Sequence, residues 1–144
     1  MQQKVIHPPT RVGELLRLSE EEEVFFLQRI RYISGEPMAL QTAYVPLRFF
    51  PGIADIDFEK ESLYATFRRF GMVPALAKQD MEAIVLKDAD QAKLLGAEVG
   101  SPGLLSERLT YDLEGNPIEF TIALFRGEKY RFTVHLTNSE FVKA

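Results

Sequence analysis

The sequence predicts an α+β domain, an antiparallel sheet with flanking helices built from two β-α-β-hairpin halves. Two stretches repeat one pattern: Arg29-Ile-Arg31-Tyr32-Ile-Ser-Gly35-Glu-Pro37-Met38 and Arg108-Leu-Thr-Tyr111-Asp-Leu-Glu-Gly115-Asn-Pro117-Ile118. Each places an arginine and a tyrosine on an apolar run and then a Gly-x-Pro turn, which is how a β-hairpin is written. A helix-like segment precedes each copy, residues 12–18 before the first and 89–96 before the second. Two copies are too few for a solenoid, so the halves are expected to pair into one sheet with helices on a face. The crevice where they meet is the expected seat of function.

Taken in order, residues 3–7 alternate weakly and predict an edge strand. Pro8-Pro9-Thr10 resets the backbone and offers a cap to a helix over 11–18. Ser19 with Glu20 to Glu23 is a polar break. Residues 24–33 form the first long strand, which turns at Ser34-Gly35-Glu36-Pro37 into a second over 38–45. Residues 47–57, with Phe49-Phe50 and Pro51-Gly52, suit an irregular segment anchored by its aromatics. Leu63, Phe67 and Phe70 fall at helical spacing in a central helix over 58–70, and Gly71 stops it. A strand over 81–86, a helix over 89–95 and strands over 104–111 and 118–125 complete the second half. Tyr130 to Leu136 alternates and predicts a closing strand, followed by a polar tail over 137–144 that frays.

At 144 residues, with 46% hydrophobic residues and 11 Phe, the chain is expected to be one domain with a real core. Cysteine is absent, which excludes disulfides and thiolate metal sites and makes a cytoplasmic address the expectation. No stretch approaches a membrane span, and the N-terminus carries no long apolar run after its charge. A formal charge of −4 argues against direct nucleic-acid binding. The basic spots Arg29/Arg31, Arg68-Arg69 and Arg126 to Arg131 are of a size that suits small anions.

Alternation on residues 24–33 sends Phe25, Leu27, Arg29, Arg31 and Ile33 to one face. Two guanidiniums among apolar neighbours repel unless an anion lies between them or carboxylates neutralise each. A phosphate or carboxylate ligand answers that need; ion pairs within the chain, or a solvated edge, answer it equally. On residues 118–125, Glu119 shares a face with Thr121, Ala123 and Phe125, opposite Ile118, Phe120, Ile122 and Leu124. Glu119 is placed to accept hydrogen bonds from ligand hydroxyl or amino groups, or to pair with Arg29 or Arg31. Ser62 stands at the start of the central helix, as its cap or as an anion contact. Arg68-Arg69 diverge and read as a solvated face. His7 and His135, at opposite ends of the chain, read as filler, and consecutive Glu20 to Glu23 cannot converge on a metal. No nucleophile elbow, phosphate loop or acid–base constellation is present, so no catalytic residue, cofactor or metal is assigned.

Read together, these residues resemble the UTRA effector domain of GntR-type bacterial transcription regulators, HutC subgroup, over nearly the whole chain. The markers are Arg29-x-Arg31-Tyr32, Gly35-x-Pro37, Tyr44-x-Pro46 with Phe50-Pro51-Gly52, and Ser62-Leu63-Tyr64. They continue with Ala92-x-x-Leu95-Gly96, Gly100-x-Pro102, Gly115-x-Pro117-Ile118-Glu119-Phe120 and Phe125-Arg126-Gly127-x-x-Tyr130-x-Phe132. The resemblance implies a chorismate lyase-like fold that binds a small anionic effector such as a sugar phosphate, without turnover. It implies a homodimer, and contact with DNA only through an attached winged helix-turn-helix domain. No basic helix-turn-helix precedes Val5, so the chain reads as a sensor half, or as a stand-alone sensor. The anion-binding role passes to Arg29, Arg31, Ser62 and Tyr64, and the polar body of the effector to Glu119. The chain departs from the family at two site positions, with Gln41 where an acidic residue is frequent and Phe125 where a tyrosine is. The commonest effector, an amino-sugar phosphate, is therefore not carried over. The same fold leaves open an enzyme of the chorismate lyase type acting on a small carboxylate, or a dimerisation module with a vestigial pocket.

Overall fold

Six antiparallel strands form a single sheet in the computed structural model, which describes residues 1–137. The strands are β1 (Gln2–Ile6), β2 (Val24–Ile33), β3 (Glu36–Pro46), β4 (Pro74–Val85), β5 (Pro102–Asp112) and β6 (Pro117–Arg126). The helices are α1 (Thr10–Leu15), α2 (Leu63–Arg69) and α3 (Ala89–Leu94). The sheet order β1-β2-β3-β6-β5-β4 makes the two halves mirror one another across the β3–β6 pair. Each half is a strand, a helix and a hairpin, as the repeat predicts. Both hairpins turn through a glycine with positive φ, Gly35 at 81° and Gly115 at 85°, a conformation that costs any residue with a Cβ.

Alternation divides the sheet into two faces. On one, α1 packs Val12 and Leu16 against Val24, Leu109 and Phe120, while α3 packs Ala92 and Leu95 against Leu40 and Leu124. On the other, α2 and residues 46–62 cover one end of the sheet. Here Phe50, Ile53, Phe58, Leu63 and Phe67 meet Phe25, Leu27, Ala43 and Val45. Phe50 and Phe67 rings lie 4.7 Å apart and Phe25 and Phe58 rings 5.4 Å apart. Ile118 joins this cluster, leaving Phe120 and Leu124 to the opposite face.

Several boundaries differ from expectation. Residues 58–61 form turns, and α2 begins only at Leu63, because Ser62 caps it and its Oγ accepts from the Ala65 N–H at 3.3 Å. Thr10 is the first residue of α1 and does not cap it: Pro9 holds the cap position and no side chain bonds there. β4 begins at Pro74, seven residues before the predicted start, and most of its side chains are exposed. No strand forms over 130–136, which lies without regular structure; Lys129 pairs with Glu36 and Tyr130 stacks on Phe125, so the chain is held to its own sheet as far as Tyr130, and residues 131–137 are exposed. The fraying expected of the terminal tail falls, beyond Thr137, outside the described residues.

Replacing Phe67 with Ala is expected to cost about 3–5 kcal/mol in urea denaturation, since its ring is fully buried between Phe50 and Tyr64. Asp112 predicts an acid limb to the stability curve. Burial opposes its ionisation, but the Asn116 side chain and the backbone N–H groups of Asn116, Glu114 and Gly115 outweigh burial and hold the carboxyl below the usual aspartate range. A depressed folded pKa contributes stability that is complete above the unfolded value of about 3.9 and is lost as pH falls through the lower folded value. Melting temperature measured from pH 6 to pH 2 should fall along that limb in the native chain, whereas Asp112→Asn should start lower at pH 6 and lack the Asp112 part of the decline.

Candidate functional site

The periodicity of β2 sets where the core stops and a cavity starts. Phe25 and Leu27 lie under α2; the next residues on that face, Arg29 and Arg31, lie beyond its cover. Arg29, Arg31, Gln41, Ser62, Tyr64, Arg108, Glu119 and Thr121 line a cavity of about 300 Å³, floored by β2, β3, β6 and β5 and walled by the start of α2. A second hollow continues from it past Arg29, Arg31, Gln41 and Ser62 to Tyr32, Phe58 and Glu59. Strand register explains the convergence. Arg29 stands opposite Gln41, Gln41 opposite Ala123, and Thr121 opposite Arg108, so the side chains share one face across four strands.

Among the described residues neither Arg29 nor Arg31 forms an ion pair. Arg29 makes one long hydrogen bond, from Nη1 to the Phe58 carbonyl at 3.5 Å. Burial first, and the like charge of Arg31 second, lower the Arg29 pKa, with Glu119 acting in the opposite direction. Arginine remains protonated regardless, so the strain registers as a positive potential that an anion would relieve.

Glu119, only 1% exposed, is paired instead with Arg108. Its Oε1 accepts from Arg108 Nη2 at 3.4 Å and from the Tyr64 hydroxyl at 3.3 Å, and Thr110 Oγ1 lies 3.5 Å from that hydroxyl. Burial, reinforced by the charge of Glu119, raises the Tyr64 pKa, so the phenol stays protonated and donates. The Arg108 guanidinium lies 5.6 Å from the Tyr64 ring centre, and its buried Nε has no partner among the described residues. The Tyr64 hydroxyl is thus engaged by Glu119, in the same cavity that Arg29 and Arg31 line.

Of the residues expected from sequence, the structure brings Arg29, Arg31, Ser62, Tyr64, Glu119 and Gln41 to one cavity. It does not bring Phe125, whose ring stacks on Tyr130 at 4.0 Å, because Phe125 lies four residues further along β6 than Thr121. Arg108 was missed as a site residue, although its place in the repeat, equivalent to Arg29, was the available signal.

A cavity of this make, polar and cationic over an antiparallel sheet, defines a binding domain for a small ligand. The chain matches the UTRA domain over residues 1–131. It is 34% identical over 132 residues to the HTH-type transcriptional regulator Rv0792c of Mycobacterium tuberculosis, covering 89% of this chain and 48% of that protein. It is 32% identical over 121 residues to the HTH-type transcriptional repressor PhnF of Mycolicibacterium smegmatis, covering 83% of this chain and 49% of that one. The crystal structure of the effector domain of PhnF superposes with a TM-score of 0.88 at 26% identity, covering 95% of this chain and 84% of that one. The chain belongs to the UTRA family, the ligand-binding domain of GntR-type transcription regulators. It spans about half the length of the curated relatives it matches.

Removing Arg108 as Arg108→Met should destabilise the domain by about 1–3 kcal/mol, because Glu119 is left buried without its cation. Adding Glu119→Gln should recover part of that loss. A double-mutant cycle by urea denaturation should therefore give a coupling of at least about 0.5 kcal/mol.

Proposed function

We propose that this domain senses a small anionic metabolite, with a sugar phosphate as the first class to test, and that occupancy controls operator binding by an attached winged helix-turn-helix domain. The reading includes a homodimer working in the cytoplasm. The observation that carries it is the pair Arg29 and Arg31, two guanidiniums on one cavity wall with no carboxylate partner among the described residues. A phosphate or carboxylate group between them forms charge-assisted hydrogen bonds with both, and the Ser62 hydroxyl proton, unused by its capping role, supplies a further donor. Gln41, Glu119, Tyr64 and the unpartnered Nε of Arg108 then meet the polar body of the ligand. No helix among the described residues is long and apolar enough to cross a membrane.

A sensor rather than an enzyme is supported by the site chemistry. Among the described residues Glu119 is the one carboxylate lining the cavity of about 300 Å³, with Glu59 in the adjoining hollow, and Glu119 is engaged by Arg108 and Tyr64, which leaves it poorly placed to take a proton from substrate. The relatives named above are regulators, which favours the same reading over an enzyme of the chorismate lyase type.

Thermal shift and calorimetry with a panel of sugar phosphates, phosphonates and carboxylates test the proposal. At least one anion should raise the melting temperature. Arg31→Ala and Gln41→Glu should each weaken that ligand about tenfold or more, the first by removing a charge-assisted contact and the second by giving Arg29 a carboxylate across the strand pair. A panel in which no anion stabilises the native chain overturns the assignment.

A further inference from the structure

The cavity holds one more cation than the pair that faces an anion. Among the described residues three guanidiniums, Arg29, Arg31 and Arg108, line it against one carboxylate, Glu119, which leaves the wall with two net positive charges. Arg108 uses its charge within the wall. Its Nη2 donates to Glu119 Oε1 at 3.4 Å, and its guanidinium lies 5.6 Å from the centre of the Tyr64 ring. The acid that a ligand would meet is therefore already neutralised. Gln41 and Thr121 add only an uncharged amide and an uncharged hydroxyl to the same lining. Glu59, the carboxylate of the adjoining hollow, is exposed and solvated.

Hydroxyl and ammonium groups fare differently against such a wall. A hydroxyl donates and accepts, so Gln41, Thr121 and the second oxygen of Glu119 each offer it a partner with no change in charge. An ammonium only donates, and once stripped of water it needs a carboxylate of its own. Here that carboxylate is shared with Arg108, and the incoming cation would stand beside a guanidinium in a cavity that is positive before it arrives. A phosphate dianion balances the two net charges of the wall; an ammonium on the same ligand cancels half of that balance.

We propose that Arg108 sets the ligand class: the cavity takes an anion whose body carries hydroxyl groups and no ammonium, and Arg108 excludes the amino analogues by neutralising Glu119 and repelling a second cation. The inference rests on the anion-sensing reading above and narrows it. Arg108 acts here by an unfavourable term against the wrong ligand, which is how sites that offer similar contacts to two ligands tell them apart.

Calorimetry with three matched pairs, each exchanging one hydroxyl for one ammonium, tests it: glucose 6-phosphate against glucosamine 6-phosphate, 2-hydroxyethylphosphonate against 2-aminoethylphosphonate, and malate against aspartate. In any pair that the native chain binds, the hydroxyl member should bind about tenfold tighter or more. Arg108→Met should bring that ratio to parity or invert it, because the buried Glu119 then lacks a cation and the ammonium supplies one. Arg108→Lys keeps a cation beside Glu119 and should retain the preference. Thr121→Asp keeps Arg108 and adds a carboxylate to the lining opposite it, so it should narrow the ratio as well and decides the matter where Arg108→Met is too unstable to assay. An amino member that binds the native chain as tightly as its hydroxyl partner overturns the proposal and spares the anion sensor. A preference left unchanged by Arg108→Met, or by Thr121→Asp where that variant decides, overturns the role given to Arg108. A native chain that binds none of these compounds overturns the proposal too, and the sensor reading falls with it only if the wider anion panel also fails to stabilise the domain.

Discussion

Everything in this domain hangs on the pairing of β3 with β6, six rungs from Ala39 opposite Phe125 to Tyr44 opposite Phe120. It is the seam between two hairpins of the same sequence pattern, and among the described residues it is the only ladder that joins one half of the sheet to the other. Because side chains alternate with a period of two, fixing this one register decides which face every neighbouring residue presents. Gln41, Thr121 and Glu119 then lie on the same side as Arg29 and Arg108, and the cavity has its floor. A slip of one residue along this seam would send Glu119 to the face of α1 and place Phe120 in the cavity.

The other face-setting constraint is the shortness of α2. Its seven residues and the aromatics of the preceding segment cover the sheet only as far as Leu27 and Ala43. A longer helix would bury the arginines, and two desolvated like charges would then oppose folding. Ser62 ends the helix where the cover must stop, so one residue caps the helix and sets the rim of the cavity. The cost recorded at Arg29, burial beside Arg31 with one weak hydrogen bond, is the residue of that compromise.

The hairpins, their glycine turns, the two-half architecture and most of the cavity lining could be read from the chain, because strand alternation and turn chemistry are local properties. What failed was non-local. The first half of β4, Pro74 to Asp80, is poor in β-branched residues and exposed, and it becomes a strand because β5 offers its edge. Residues 130–136 have the pattern of a strand and lack an accessible partner in their own chain, so pattern alone over-predicts. Phe125 shares the face of Glu119 but sits six residues further along, where Tyr130 rather than the cavity meets its ring.

The repeat also explains how the cavity acquires its charge. Aligned on the Gly-x-Pro turns, Arg29 and Arg108 occupy equivalent positions, as do Gln41 and Thr121, Arg31 and Thr110, and Ala39 and Glu119. In the second half Thr110 stands opposite Glu119, and that carboxylate neutralises Arg108. In the first half Arg31 stands opposite Ala39, so the same frame holds two cations and no carboxylate. A symmetric protein with the Thr–Glu rung in both halves would pair each arginine with its own carboxylate and would have no use for an anion; one with alanine in both would leave Arg108 and Tyr64 without their acceptor. The differences at one repeated rung, Ala39 for Glu119 and Arg31 for Thr110, are what turn a duplicated structural unit into a site with a neutral polar end and a positive end.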